Sequence, residues 1–272
     1  MSEAGARADT AWSGSVLGAI GRLARRRMEF PLMLAALGWG VASEAARPAA
    51  WRRTVRAEFR RTLILAAGGG LATTVVTAVL TGLAMVAETL YWLGVAGQRQ
   101  LAAPILVTLL VREITPLLIG LILLGRSGTV VVEELGTLKL GGQARALAAM
   151  GIDPFLLLVL PRALALAVAG FTLGVVFALT ALVVGFITGD VLGAVAGSLW
   201  SFLDRVLAAM RAADFAIFPA KLMVIGLLVG LTACLTGMQA RAGEDMARLL
   251  PRGFVRGLVA IMTASLLLSL VA

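Results

Sequence analysis

The chain has 272 residues, is 60% hydrophobic with a mean hydropathy of +0.97, and carries 24 Lys+Arg against 15 Asp+Glu, a net charge of +9. Soluble domains average about 45–50% apolar, so the composition points away from a soluble helical core, and the lack of strand alternation points away from a β-barrel. There is no histidine and Cys234 is the single cysteine, which excludes His-dependent triads, His metal sites, a His-ligated haem and any disulfide within the chain.

Residues 1–14 are small and polar and are expected to be disordered. Arg25, Arg26 and Arg27 come late and no small-residue cleavage pattern follows a short apolar core, so a cleavable signal peptide is not expected. From about 15 to 45 apolar residues alternate with the cluster RLARRR. Arg22, Arg25 and Arg26 share roughly one helical face, which suits a helix lying in the membrane interface better than a full span. Residues 47–61 then form a basic approach to the membrane. Eleven of the 24 basic residues lie in 1–61 and all eleven are arginine. In a soluble chain such an excess would raise nucleic acid as a partner. Beside membrane segments it reads as topology and headgroup contact, so no nucleic-acid partner is expected.

Five apolar runs follow, at about 62–93, 101–127, 155–188, 216–238 and 254–271. Each approaches or exceeds the roughly 18–20 residues that a bilayer core requires. The expected architecture is an all-α integral membrane protein with two regions: an N-terminal basic region with an interfacial helix, 1–61, and a transmembrane domain, 62–272. Tyr91 and Trp92 have the character of an interfacial belt. Gly68–Gly70 and the threonines 73, 74, 77 and 81 favour close helix packing. Residues 190–214 read as a partly amphipathic connection. The segments 1–61, 128–154 and 239–253 share one side and hold most of the Lys and Arg, which places them and the N-terminus in the cytoplasm.

Between the second and third runs the composition turns polar. QARALAAMG, 143–151, has room for two helical turns; Gly151 reads as a C-cap and Asp153-Pro154 as the start of the next helix. A short helix there is either an ordinary loop helix or a lever that docks into a partner. Glu133 and Glu134 lack any visible catalytic partners, so a cytoplasmic contact is expected of them in place of acid–base work.

The second run contains VREITP, with Arg112 and Glu113 adjacent. Each charge costs about 2.5–3.5 kcal/mol at a helix centre on insertion scales, and intramembrane charges mark functional sites by default. Neighbouring residues lie about 100° apart on a helix, so both cannot hide in one narrow seam. Glu88, near the end of the first run, is a candidate partner for Arg112, and Pro116 would add a kink or free a carbonyl beside the pair. Two roles stay open: a cavity lining that receives a lipid phosphate, or an ion pair that only joins helices.

Taken in order, these residues form a pattern: Arg112, Glu113 and Pro116; Gly125, Arg126 and Gly128; Glu134, Leu135, Gly136 and Thr137; Gln143; Ala146, Leu147, Met150, Gly151, Ile152, Asp153 and Pro154; then Pro161 and Arg162. The pattern resembles the MlaE-type permeases, the membrane subunits of ABC lipid transporters that work with Mce-domain proteins. Gly142 precedes Gln143 where that family usually has glutamate, and Thr115 stands where glycine is commoner. The resemblance implies a coupling helix at about 139–151 seated in a cytoplasmic ATPase, with Glu134, Gly136, Gln143, Leu147, Met150, Asp153 and Pro154 as contacts. It further implies a homodimer in a bacterial inner membrane, two P-loop ATPase subunits, an Mce-domain periplasmic partner, and a phospholipid or other membrane lipid as cargo. The chain itself has no GxxxxGK[ST] and only two lysines, Lys139 and Lys221, so ATP and its magnesium would be held by the ATPase and no cofactor is expected in this chain. A secondary transporter or channel is the alternative; the internal repeats that such proteins often show are not evident. A lipid enzyme would want a nucleophile–base set, and none is visible.

Overall fold

The computed structural model describes residues 29–193, 197–240 and 245–271. The expected disorder of 1–14 and the face made by Arg22, Arg25 and Arg26 lie outside these residues. Among the described residues every regular element is helical. A helix at 29–45 (α1) is followed by α2 (Arg53–Val95), α3 (Ala102–Leu140), α4 (Gln143–Ala149), α5 (Phe155–Val191), α6 (Leu199–Ala209), α7 (Asp214–Met238) and α8 (Met246–Val271). Five of them, α2, α3, α5, α7 and α8, are long and apolar enough to cross a membrane.

The spans are longer than the apolar runs. α2 begins at Arg53 because the amphipathic RTVRAEFRRTL enters the apolar run without a breaker. Its 43 residues extend about 65 Å at 1.5 Å each, against a hydrocarbon core of about 30 Å, so its arginine-rich turns project beyond the core. α8 begins at Met246, since Pro251 falls in its second turn, where little of the helix precedes it to be broken. Wide π-type turns interrupt α2 at Ile64–Gly68 and Gly82–Val86, α3 at Val107–Ile114 and Leu124–Gly128, and the start of α5 at Phe155–Val159.

α5 is the central post and packs against α2, α3 and α7. Within a bilayer, burying apolar surface drives helices together weakly, and close backbone approach takes over. Two four-residue glycine spacings supply it, Gly170 and Gly174 on α5 and Gly226 and Gly230 on α7. A Cβ at Gly170 would sit 2.9 Å from the Leu222 carbonyl oxygen, and one at Gly230 would sit 2.7 Å from Ala163 Cα. Phe177, Leu166, Leu222 and Ile225 fill the seam and are fully buried. Gly82 brings α2 as close to α5, with a Cβ there 2.5 Å from the Ala181 carbonyl oxygen.

The link from α3 to α5 follows its sequence signals closely. Gly142, at φ +74, reverses the chain after α3. α4 ends in a Schellman turn: Ile152 N–H donates to Leu147 O at 3.0 Å and Gly151 N–H to Ala148 O at 3.1 Å, with Gly151 at φ +73. The Asp153 carboxylate then accepts the Phe155 N–H at 2.9 Å and starts α5. α4 is shorter than the expected 139–151, because Lys139 and Leu140 still belong to α3. On the opposite face α6 is capped by Ser198 and packs Phe202 on Phe186 of α5, with ring centroids 5.3 Å apart.

Candidate functional site

Two buried polar centres interrupt the apolar bundle, one toward each face. The first gathers around Arg112 and Glu113 in the wide turn of α3. Arg112 Nη2 donates to Asp214 Oδ2 at 2.6 Å, and the Arg211 N–H donates to the same oxygen at 2.7 Å. Asp214, the first residue of α7, is 2% exposed and Arg112 22%. Lys221, two turns further along α7 and 4% exposed, lies 3.4 Å from both carboxylate oxygens of Glu113. Its ammonium also donates to Ser269 Oγ of α8 at 2.8 Å and to the Arg112 carbonyl at 2.7 Å. Pro116 explains why that carbonyl is open: the residue four positions on from Arg112 has no N–H to offer it. Ser269 Oγ is 2.7 Å from Glu113 Oε1 and 2.7 Å from the Ser265 carbonyl, so its one proton serves either acceptor.

The two adjacent charges thus point to two pairs on one partner helix, Arg112 with Asp214 and Glu113 with Lys221. The set is neutral in sum, which lowers the cost of holding four charges among apolar helices. Glu88 does not join it; its carboxylate accepts the Trp92 indole N–H at 3.4 Å on the exposed side of α2. The sequence left Asp214 in a connection and used Lys221 only to rule out a nucleotide loop. Lys221 carries the same signal as Arg112, a lone cation in an apolar run, and the same cost in a span.

These residues line a cavity of about 160 Å3, bounded by Thr108, Val111, Arg112, Glu113, Asp214, Phe218, Lys221 and Ser269 among others. A second cavity, of about 260 Å3, adjoins it and shares Val111 and Phe218. Its remaining wall is apolar, from Val175, Leu179 and Leu182 of α5, Leu203 and Leu207 of α6, and Phe215 of α7. A polar chamber therefore opens beside a greasy one.

The second centre lies toward the arginine-rich face. Arg162 of α5, 4% exposed, meets Glu58 of α2 at 2.6 Å and Glu134 of α3 at 3.2 Å, and donates to the Leu158 carbonyl at 3.0 Å. Arg61 adds looser contacts to Glu134 at 3.6 Å and Glu58 at 3.8 Å. Glu134 is thus held by arginines of this chain, and Gly136 is packed under Met246 and Leu249 of α8; neither lies on α4. Gln143 and Leu147 are on α4, Met150 caps it, and Asp153 and Pro154 start α5. Met150 is 65% exposed and Ile152 42%, so this corner presents apolar side chains outward. α1 packs near the same face: Phe30 stacks on the Arg256 guanidinium at 4.5 Å, and Gly40 adjoins Phe155. Among the described residues no group of His, Cys, Asp and Glu could hold a metal ion.

A family model described as Permease MlaE matches residues 59–271. Among curated proteins, a probable ABC transporter permease protein of Rickettsia typhi is 26% identical over 178 residues, 61% of this chain and 64% of the relative. A probable ABC transporter permease protein of Synechocystis is 28% identical over 166 residues, 59% of this chain and 60% of the relative. The chloroplastic protein TRIGALACTOSYLDIACYLGLYCEROL 1 of Arabidopsis thaliana is 27% identical over 166 residues, 58% of this chain and 45% of the relative. The match thus spans less than two thirds of each of these relatives.

Proposed function

The chain belongs to the MlaE permease family, and from that premise we propose that it is the membrane permease of an ATP-driven lipid transporter. It is a multi-pass transport subunit and not an enzyme. Its cargo is a phospholipid or a similar amphiphile, moved between a bacterial inner membrane and the outer envelope. It works as a homodimer with two P-loop ATPase subunits and an Mce-domain protein on the periplasmic side, with its N-terminus in the cytoplasm. The observation that carries the lipid reading is the pair of neighbouring cavities, which share Val111 and Phe218. One is lined by the charged set Arg112, Glu113, Asp214 and Lys221, the other by apolar side chains, which matches the two ends of an amphiphile. Each cavity is smaller than the roughly 300–1,000 Å3 of a ligand pocket, as expected if two copies share the path. The exposed Met150 and Ile152 beside α4 support the ATPase contact, because an apolar corner on a rigid turn is a surface that a partner covers.

The test is mass spectrometry of the complex purified in mild detergent through a tag on this chain, reading proteins and lipids together. A co-purified P-loop ATPase at one copy per permease, with bound phospholipid, is expected. A chain that comes alone, under conditions that keep such complexes whole, would sink the ATP-driven reading and turn attention to the Arg112–Glu113 set as an ion or proton site of a secondary transporter.

A further inference from the structure

Three cations held among the spans, Arg112, Arg162 and Lys221, each meet a carboxylate. Arg126 does not. It lies on α3, 14 residues before the end of that helix at Leu140, or roughly 21 Å along it at 1.5 Å per residue. Among the described residues no carboxylate comes within ion-pair reach of it. Its guanidinium rests against the glycine run of α2, where a Cβ on Gly69 would sit 2.9 Å from Nη2 and 3.2 Å from Nε. Arg126 is nevertheless exposed, so the charge points to the surroundings of the bundle. Arg126 stands at the edge of the second apolar run, 101–127, where an unpaired guanidinium is at the level of lipid phosphates.

The space around it has the shape of an answer. A cavity of about 180 Å3 separates α2 from α3, apart from the two cavities described above. Its charged and polar wall holds Arg61, Arg126, Thr62 and Ser127, and its apolar wall holds Leu65, Ala66, Val130 and Val131. Glu58 and Glu134 close its outer end but are engaged by Arg162. Three guanidiniums thus face two carboxylates, an excess of one positive charge. Arg61 holds its acids at only 3.6–3.8 Å and is 60% exposed, so it is free to turn to a better acceptor; pairs this exposed contribute about 0–1 kcal/mol. Arg53, Arg56 and Arg60 of α2, with Arg52 at its N-cap, add positive charge to the same end of the helix, on the face turned away from the cavity.

We propose that this groove binds a phosphate-bearing anion, held between Arg126 and Arg61, and that its source is a phospholipid of the leaflet on the arginine-rich face. Guanidinium matches phosphate oxygens bidentately, Ser127 and Thr62 supply hydroxyl donors, and the four apolar residues receive the start of the acyl chains. The site is independent of the lipid path proposed above and is read by binding, with transport not required. The full chain in detergent is titrated with phosphatidylglycerol, with diacylglycerol, which lacks the phosphate, and with inorganic phosphate, and retained ligand is counted by native mass spectrometry. Arg126→Gln is expected to lower phosphatidylglycerol retention by about tenfold, the effect of losing charge-assisted hydrogen bonds, and to leave diacylglycerol retention unchanged. Gly69→Val, which displaces the guanidinium and keeps its charge, is expected to give the same loss while the spans remain folded by circular dichroism. Equal retention by the wild type and both variants overturns the site. Retention of inorganic phosphate alone, displacing the lipid, overturns the lipid as its source.

Discussion

At the residue scale the Arg112–Asp214 pair decides how the first polar centre is tested. Removing one member strands the other among apolar helices, and breaking a buried pair typically costs about 3–5 kcal/mol. Arg112→Ala leaves Asp214 with the N–H and the charge of Arg211 but without its 2.6 Å partner, so a loss of transport in that variant alone would confound chemistry with stability. The swap Arg112→Asp with Asp214→Arg separates them. Each single change is expected to lower the unfolding midpoint in detergent, and the double swap to recover most of that loss. Lipid movement measured in reconstituted vesicles is expected to stay low in the swap, because the guanidinium has left the α3 side of the cavity. Full recovery of movement along with stability would show that the pair only joins helices. The sequence announced Arg112 and Glu113 through their cost in a span. It was silent on their partners, because Asp214 and Lys221 are 102 and 108 residues away from them and only the packing of α3 on α7 brings them near. Glu88 was nearer in sequence and was the wrong carboxylate, since it lies on the outer side of α2 beside Trp92.

At the element scale, the α5–α7 seam depends on glycines whose added side chains have nowhere to go. A Cβ on Gly170 or Gly230 meets backbone, which cannot rotate aside as a side-chain tip does. Gly170→Leu and Gly230→Leu are each expected to destabilise the folded chain by at least the roughly 1–3 kcal/mol of core overpacking, read as a lower midpoint for loss of helical signal in detergent. Gly68→Leu is the contrast. Nothing lies within 4 Å of its added Cβ, and its midpoint is expected to move little. If all three behaved alike, close backbone approach would not be what holds α5 to α7. Helix number and order were legible because runs of apolar residues report membrane spans directly. Helix ends were less so. The amphipathic first turns of α2 and α8 look like loops when read by hydropathy, but they continue the helix because no breaker stops it.

At the scale of the whole molecule, the cavities and α4 lie at opposite ends of the bundle. The cavities with Arg112 and Lys221 lie toward the face of the 94–100 and 190–214 connections, and α4 lies at the other. α5 runs between them, so if α4 receives a push from an ATPase, that one helix carries it toward the cavities. The sequence showed α4 by the glycines around it and by the Asp-Pro that starts α5, and set its first residues too early because the composition turns polar at 128 while α3 runs on to Leu140. The structure then sorts the expected coupling residues. Glu134 and Gly136 are occupied within the chain, whereas Met150, and Ile152 beside it, stand outward among the described residues. If this corner seats an ATPase, its apolar contact is what holds the complex, and Met150→Asp is expected to act there alone. The single permease should keep its unfolding midpoint within about 0.5 kcal/mol of the wild type, as exposed substitutions do, while the ATPase recovered by pull-down falls several-fold and ATP hydrolysis no longer responds to lipid. Glu134→Gln is expected to show the reverse, a lower midpoint from the loosened Arg162 network with ATPase recovery following only the amount of folded permease. A Met150→Asp complex that assembles and couples normally would place the ATPase contact elsewhere on the arginine-rich face.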